Sequence, residues 1–212
     1  MKRIFFLIIS VLSFQSLSLA DNVRYFPIEG MKIGDSALDY FSESQLENNE
    51  QGWHNYTYKE YSTSLMAGKG IYDWFLVSYK NDDNNFIIEG LTGGLEKMDY
   101  DNEECNKKLD SNAFYISEKF KNTLQNKKKT YQLGINASRT FPFTGKSTVT
   151  SISFDFLDKG KIILSCYFMD KEYLKKEINQ NDTALPSILN QNDSFRIDAR
   201  SSKFVNYLKK NK

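Results

Sequence analysis

Two runs of alternating apolar and polar residues lie on either side of a short turn signal in the last third of this chain. In residues 147–157 and again in residues 161–168, apolar side chains recur at every second position. Between the two runs, Asp158-Lys159-Gly160 is typical of a tight hairpin turn, with Gly160 suited to a positive φ. Because every second side chain of a strand lies on the same face, the pattern predicts an antiparallel hairpin with one buried face.

The longest helical pattern of the chain covers residues 103–124. Its apolar side chains recur at steps of three or four, which places them in one stripe along a helix. The stripe consists of Cys105, Leu109, Ala113, Ile116, Phe120 and Leu124. We therefore expect an α+β fold, in which an antiparallel sheet of hairpin-connected strands carries this long amphipathic helix on one face.

Periodicity and turn signals also assign the shorter elements of the chain. Helices are predicted in residues 33–41, 171–178 and 203–210, and a short turn is predicted in residues 42–46. Strands are predicted in residues 53–61, 71–79, 86–89, 131–135 and 194–199, and Gly90, Gly93 and Gly94 are expected to close the region after 86–89. Because the sequence contains neither an internal repeat nor a convincing linker, residues 21–212 are predicted to form a single domain. The alternative is that residues 21–100 form a semi-independent half.

The first twenty residues have the pattern of a secretory signal peptide. Lys2 and Arg3 precede an apolar run at 4–12, and the small residues Ser18 and Ala20 stand three and one positions before a cut after Ala20. The alternative is an uncleaved anchor, but the apolar run is well short of the ~20 residues that cross a bilayer. We expect cleavage after Ala20 and a soluble periplasmic or secreted protein without a membrane span.

The charge balance and the scarcity of metal ligands exclude several classes of function. Removing Lys2 and Arg3 from the 28 basic residues leaves 26, against 27 acidic residues. A nearly neutral chain has no bulk field that attracts nucleic acid. His54 is the single histidine, which excludes most two-histidine metal sites, and two cysteines cannot complete a four-thiolate zinc site alone. We expect no cofactor, no metal and no nucleic-acid partner.

Both cysteines fall at positions predicted to be buried, Cys105 on the helix stripe and Cys166 on the return strand of the hairpin. A helix packed on a sheet can bring two such residues within the ~7 Å between Cα atoms that a disulfide needs. The alternatives are a redox couple, which the lack of a C-x-x-C motif disfavours, and two separate buried thiols. Because exported proteins commonly pair their cysteines, we predict a structural disulfide between Cys105 and Cys166.

Aromatic residues cluster in and near the predicted strand 53–61. Trp53, Tyr56, Tyr58 and Tyr61 are the candidate ligand-binding residues, because exposed rings on a sheet offer a large rigid surface to sugars or peptide side chains. The alternative is that they line a half-buried strand face, as tyrosines commonly do in sheets.

Two motifs associated with catalysis are incomplete. Gly145-Lys146-Ser147-Thr148 resembles the end of a phosphate-binding P-loop, but Thr140 stands where that motif requires glycine. His54 is the only imidazole base, and the sequence has no G-x-S-x-G motif to accompany it. Paired carboxylates for hydrolysis cannot be selected from the many acidic residues without geometry. The sequence therefore assigns no catalytic residue.

The stretch Phe26-x-Ile28-Glu29-Gly30-Met31-x-Ile33-Gly34-Asp35-Ser36-x-Leu38-Asp39-Tyr40 resembles the opening of a family of uncharacterised exported, signal-peptide-bearing proteins of marine alphaproteobacteria. In that family a similar cysteine-bearing helix and a final strand with a short helix follow. The resemblance implies export and a single domain, and it implies no catalytic residue.

Together these features predict an exported periplasmic protein that acts as a non-catalytic binding or envelope-accessory module. Its partner would be another envelope protein or a small ligand, bound through the sheet face or the tyrosine-rich strand. The alternative is a periplasmic hydrolase that uses carboxylates not identifiable from the sequence.

Overall fold

The computed structural model describes residues 22–51, 60–68, 70–96, 102–132, 147–169 and 193–211, which form eight strands and three α-helices. The strands are β1 (Tyr61–Ala67), β2 (Trp74–Lys80), β3 (Gly90–Glu96), β4 (Leu124–Gln125), β5 (Lys129–Gln132), β6 (Thr148–Asp155), β7 (Lys161–Phe168) and β8 (Ser194–Arg200). The helices are α1 (Glu43–Asn48), α2 (Asn102–Lys119) and α3 (Ser202–Lys210), and 3-10 turns occupy Val23–Tyr25 and Ala37–Asp39. The predicted signal peptide 1–20 and the predicted helix 171–178 lie outside the described residues.

The described strands form one antiparallel sheet in the order β1-β2-β3-β8-β7-β6, and β6 also pairs with β4 and β5. Two meanders, β1-β2-β3 and β6-β7-β8, are joined where β3 pairs with β8. There Leu91 lies opposite Ala199 and Thr92 lies opposite Asp198. We name the face with Leu91 the core face and the face with Thr92 the polar face. This sheet with its helices confirms the α+β class.

Helix α2 packs on the core face of β6, β7 and β8. Its buried residues are Cys105, Leu109, Ala113 and Ile116, which belong to the predicted apolar stripe. On β7 the buried side chains Ile162, Leu164 and Cys166 meet this stripe. Cys105 and Cys166 form a disulfide with 6.0 Å between their Cα atoms. The stripe and the hairpin therefore pack as the periodicity predicts.

Helix α2 ends at Lys119, before the predicted end at residue 124. Phe120 is still buried, with its ring centroid 6.2 Å from that of Phe26 and 5.2 Å from that of Phe156. Beyond it, Leu124 pairs with Asp155 as part of β4 and is 66% exposed. Backbone pairing with β6 replaces the last helical turn, and a local apolar period cannot predict such a distant partner.

Apolar side chains of residues 22–51 pack on the core face of the sheet. The helix predicted at 33–41 is wrong. Gly34 has a φ of 95°, and its N–H donates to the carbonyl oxygen of Ile88 at 2.8 Å. The N–H of Ala37 donates to the carbonyl oxygen of Phe86 at 3.0 Å. Because these amides bond to a distant segment, helical structure is limited to the 3-10 turn Ala37–Asp39.

The strand predicted at 86–89 is wrong, because β3 begins at Gly90, in the glycine-rich segment that the sequence predicts to close this region. Gly90, Gly93 and Gly94 are inside β3, although glycine is disfavoured in strands. A Cβ at Gly94 would lie 2.1 Å from Cζ2 of Trp74, and a Cβ at Gly90 would lie 2.7 Å from Cε1 of Phe204. Aromatic rings pack directly against this strand and leave no room for a side chain, which explains why glycine occupies these positions.

The hairpin turn before β7 also differs from its prediction in one residue. The positive φ belongs to Lys159, at 65°, and not to Gly160. A Cβ at Gly160 would lie 2.5 Å from Cγ1 of Val23, which is fully buried. Close packing of Val23, rather than a left-handed backbone, therefore requires the glycine.

Helix α3 packs on the polar face at the β1 end of the sheet. Ser201 caps it, since its Oγ accepts a hydrogen bond from the N–H of Phe204 at 3.0 Å. The ring of Tyr61 on β1 lies 4.9 Å from those of both Phe204 and Tyr207, measured between centroids. These contacts place α3 beside the strands that form the candidate site.

Candidate functional site

Three charged side chains alternate along β8 on the polar face, namely Arg196, Asp198 and Arg200. Their neighbours across the strand on β3 are Gly94, Thr92 and Gly90. Two of these neighbours are glycines, and aromatic rings occupy the space above them, Trp74 at Gly94 and Phe204 at Gly90. The arrangement produces a charged cleft along the middle of the sheet.

Asp198 lies between the two arginines and is held by its neighbours. The hydroxyl of Thr92 donates a hydrogen bond to Oδ1 of Asp198. Nη2 of Arg200 lies 3.6 Å from Oδ2 of the same carboxylate, which is an ion-pair distance. The side chains of Arg200 and Asp198 are 29% and 13% exposed, so solvent screens this pair only in part.

Arg196 is positioned by aromatic rings. Its guanidinium carbon lies 4.0 Å from the ring centroid of Tyr167 and 5.3 Å from that of Trp74. Its Nε donates to Oγ of Ser194 at 3.0 Å. Stacking on an aromatic ring is a favoured arrangement for the planar guanidinium, and it fixes the positive charge on the polar face.

The cleft around β8 has a volume of about 160 Å³. It is lined by Thr63, Leu76, Ser78, Gly90, Leu91, Thr92, Tyr167, Arg196, Asp198, Arg200, Phe204 and Leu208. Arginines and hydroxyls supply its polar part, while Phe204 and Leu208 of α3 with Leu76 of β2 supply its apolar part. The charged lining residues are Arg196, Asp198 and Arg200, so the described lining has a net charge of +1 at neutral pH.

A second cavity, of about 330 Å³, lies on the other side of the sheet. It is lined by Glu29, Met31, Asp39, Tyr40, Phe41, Ala67 and Phe75. Burial, followed by the hydrogen bond to Asp35, raises the pKa of Tyr40 to about 12. This cavity contains two carboxylates, which is the feature that the hydrolase alternative requires.

The carboxylate of Glu29 has a structural role in this fold. It has a φ of 47° in the tight turn between Ile28 and Met31, and its Oε1 accepts a hydrogen bond from the N–H of Tyr72 at 2.8 Å. A Cβ at Gly70 would lie 2.8 Å from that oxygen, so the carboxylate packs directly on the loop before β2. Glu29 therefore joins the N-terminal segment to this loop.

The predicted aromatic site is described only at Tyr61. Trp53, Tyr56, Tyr58 and His54 lie outside the described residues. Tyr61 is 2% exposed, between Phe204 and Tyr207, and burial followed by the charge of Glu89 raises its pKa to about 12. This position matches the packing alternative, in which a tyrosine lines a buried strand face.

The described residues also bear on metal binding and on membrane insertion. In the described ranges, no group of three or more His, Cys, Asp or Glu side chains is placed to hold a metal ion. None of the helices in that part of the chain has the length and apolar content that crossing a membrane requires.

The charged cleft is not among the sites predicted from the sequence, although one signal for it is local. In the predicted strand 194–199 and at the next residue, Arg196, Asp198 and Arg200 occur at every second position, so a strand places them on one face. The aromatic partners of Arg196 come from β2 and β7, and no local pattern brings them together. Comparison of the chain with protein-family models, curated proteins and solved structures gives no match.

Proposed function

We propose that this chain is an exported, non-catalytic binding module that holds a small ligand in the cleft over β8. The observation that carries the proposal is the lining of that cleft, in which Arg196 and Arg200 share a volume of about 160 Å³ with apolar side chains of α3. Cavities with apolar walls and a few placed polar groups are the usual form of small-ligand sites.

Export is part of the proposal and rests on the sequence of residues 1–20 together with the disulfide. The buried bond between Cys105 and Cys166 is compatible with an oxidising compartment such as the periplasm. The family resemblance of residues 26–40 supports the same location and stays a prediction.

The hydrolase alternative is less well supported by the described residues. The cleft over β8 is lined by one carboxylate, Asp198, which is hydrogen-bonded to Thr92 and paired with Arg200. In the second cavity, Glu29 is engaged by the N–H of Tyr72. Acid–base hydrolysis by two carboxylates needs one of them to donate a proton and the other to attack or to activate water. The contacts of Glu29 with the loop before β2 give it a structural role instead.

The proposal is tested by identifying what the protein retains. Leu208→Trp places an indole over the cleft from α3, whereas Asn206→Trp places one on an exposed position of the same helix and serves as the matched control. We expect native mass spectrometry of protein purified without denaturation to detect a small molecule on the wild type and on Asn206→Trp, and to find it lost from Leu208→Trp.

Two outcomes would overturn the proposal. One is the retention of the same molecule by Leu208→Trp at the wild-type level. The other is the absence of any retained molecule combined with no change in melting temperature across a panel of sugars, amino acids and organic acids. Crosslinking in intact cells that captures one dominant envelope protein, in place of a small molecule, would support the accessory role instead.

A further inference from the structure

We infer that the ligand of the cleft is a small monocarboxylate with an apolar body, an inference that rests on the proposed function. Four properties of the described lining carry it: its net charge, the fixed geometry of its two arginines, its apolar end and its volume.

The net charge of the cleft lining favours a ligand with one negative charge over a ligand with two. Arg196 and Arg200 lie two residues to either side of Asp198 on the same face of β8. Asp198 cancels one of the two positive charges and repels any further negative charge that approaches it. A monoanion is therefore matched by the remaining positive charge, whereas a dianion such as the doubly ionised form of phosphate is not.

The two arginines are held in place before any ligand arrives. Tyr167 stacks on Arg196, and Asp198, itself fixed by the hydroxyl of Thr92, pairs with Arg200. A guanidinium held in position loses less side-chain freedom on binding, and its planar fork matches the geometry of a carboxylate. This arrangement favours recognition of a planar anion.

The apolar end of the cleft favours a ligand that carries an apolar group in addition to its carboxylate. Phe204 and Leu208 of α3 and Leu76 of β2 line this part. An ion alone would leave these side chains facing water, whereas a ring or a branched alkyl group would cover them and gain the free energy of apolar burial.

The volume of the cleft limits the size of that body. An engineered protein cavity of about 150 Å³ binds benzene, which gives a scale for a space of this kind. At about 160 Å³ the cleft accommodates one ring or a short branched chain. Benzoate combines such a ring with a single carboxylate and is therefore the probe of choice.

The test compares benzoate with benzyl alcohol, a neutral molecule of similar shape, and with inorganic phosphate, by calorimetric titration of the purified protein. We expect benzoate to bind at least about tenfold more tightly than either, since hydrogen bonds to charged groups are the strong ones. Arg200→Gln should weaken benzoate binding about tenfold or more. Arg24→Gln, at an exposed arginine that does not line the cleft, should leave it unchanged.

Asp198→Asn provides a second variant with an opposite expectation. Asn keeps an acceptor for Thr92 but removes the negative charge, so phosphate should bind more tightly to Asp198→Asn than to the wild type. Equal binding of benzoate and benzyl alcohol by the wild type would overturn the inference, and so would unchanged benzoate binding in a folded Arg200→Gln.

The outcomes separate this inference from the proposed function. If a neutral molecule is retained and Leu208→Trp abolishes its binding, the carboxylate class is wrong and the binding function stands. If no small molecule binds at all, both the inference and the proposed function fail.

Discussion

The indole ring of Trp74 on β2 lies directly over Gly94 on β3, so closely that a Cβ at Gly94 would be 2.1 Å from its Cζ2. The indole is 2% exposed, and its Nε1 has no hydrogen-bond partner among the described residues. Trp74 in turn lies beside the guanidinium of Arg196, with 5.3 Å from its ring centroid to the guanidinium carbon. The absence of a side chain at Gly94 thus leaves room for the indole that lies beside Arg196.

Gly94→Ala is expected to destabilise the fold by roughly 1 to 3 kcal/mol, because the added methyl group displaces a buried ring. The matched control is Gly30→Ala, where a Cβ meets nothing within 4 Å but the φ of 87° strains a side chain. That control should cost about 1 kcal/mol. Urea unfolding measures both variants, and a smaller loss for Gly94→Ala than for Gly30→Ala would contradict the packing argument.

Removing the disulfide should lower the free energy of unfolding by about 4 kcal/mol, because the bond closes a long loop in the unfolded chain. The paired residues, Cys105 and Cys166, are 61 positions apart. We expect Cys105→Ala combined with Cys166→Ala to lose this stability in urea unfolding. A reductant should reduce the stability of the wild type and leave the double variant unchanged. Equal stability of oxidised and reduced wild type would show that the bond contributes nothing.

Asp155 should make stability depend on pH in the acid range. Burial acts to raise the pKa of its carboxyl, but hydrogen bonds from Asn126 and Lys161 outweigh burial and hold the pKa below the usual 3.8. A lowered pKa in the folded state stabilises the protein above the unfolded pKa, and this contribution is lost as the pH falls through the folded pKa.

Asp155→Asn should therefore be less stable than the wild type near pH 7, by less than about 1 kcal/mol because the side chain is partly exposed and screened. The difference should shrink as the pH falls below 3.8 in urea unfolding. Lys161→Gln is the companion variant, since it removes the cation and should weaken the same pH dependence. A difference that stays constant with pH would contradict the assignment to Asp155.

Buried tyrosines should make the protein unfold in alkali. Burial is the main cause that raises the pKa values of Tyr61, Tyr72 and Tyr79 from 10.0 to about 12. Because the unfolded state loses these protons first, the stabilising contribution is complete below pH 10.0 and is lost as the pH rises towards 12.

Tyr61→Phe provides the test, because it removes one titrating hydroxyl and keeps a ring between Phe204 and Tyr207. The fall in unfolding free energy across this alkaline range should be smaller in the variant than in the wild type. Tyrosinate absorbance near 295 nm counts the ionised tyrosines. Near pH 10.0 the folded wild type should have at least one ionised tyrosine fewer than the unfolded chain. An identical alkaline loss in both proteins would contradict the prediction.

Local patterns in the sequence predict the elements whose partners are near in the chain. The hairpin of β6 and β7 and the stripe of α2 follow from periodicity, and both are observed at nearly the predicted residues. Strands 71–79 and 194–199 and helix 203–210 also agree with β2, β8 and α3 to within a few residues. In each case burial of one face determines the period of the apolar residues.

Features that depend on distant partners could not be predicted in this way. Gly94 leaves room within β3 for the indole of Trp74, and Gly160 leaves room at the end of a turn for Val23. The candidate cleft needs Arg196 and Tyr167 to meet across neighbouring strands, which the sequence shows only as isolated residues. Periodicity reports which face is buried, but it contains no information about what covers that face.

The position of β8 in the sheet has a consequence for how the chain acquires its structure. β8 follows every other described strand in the sequence, yet it lies between β3 and β7 and joins the two meanders. During synthesis β3 and β7 therefore cannot be joined through β8 until residues 194–200 have been made. Pairing of such distant segments is slow because a long loop must close. We therefore expect the centre of the sheet, between β3 and β7, to be the last part of it to form.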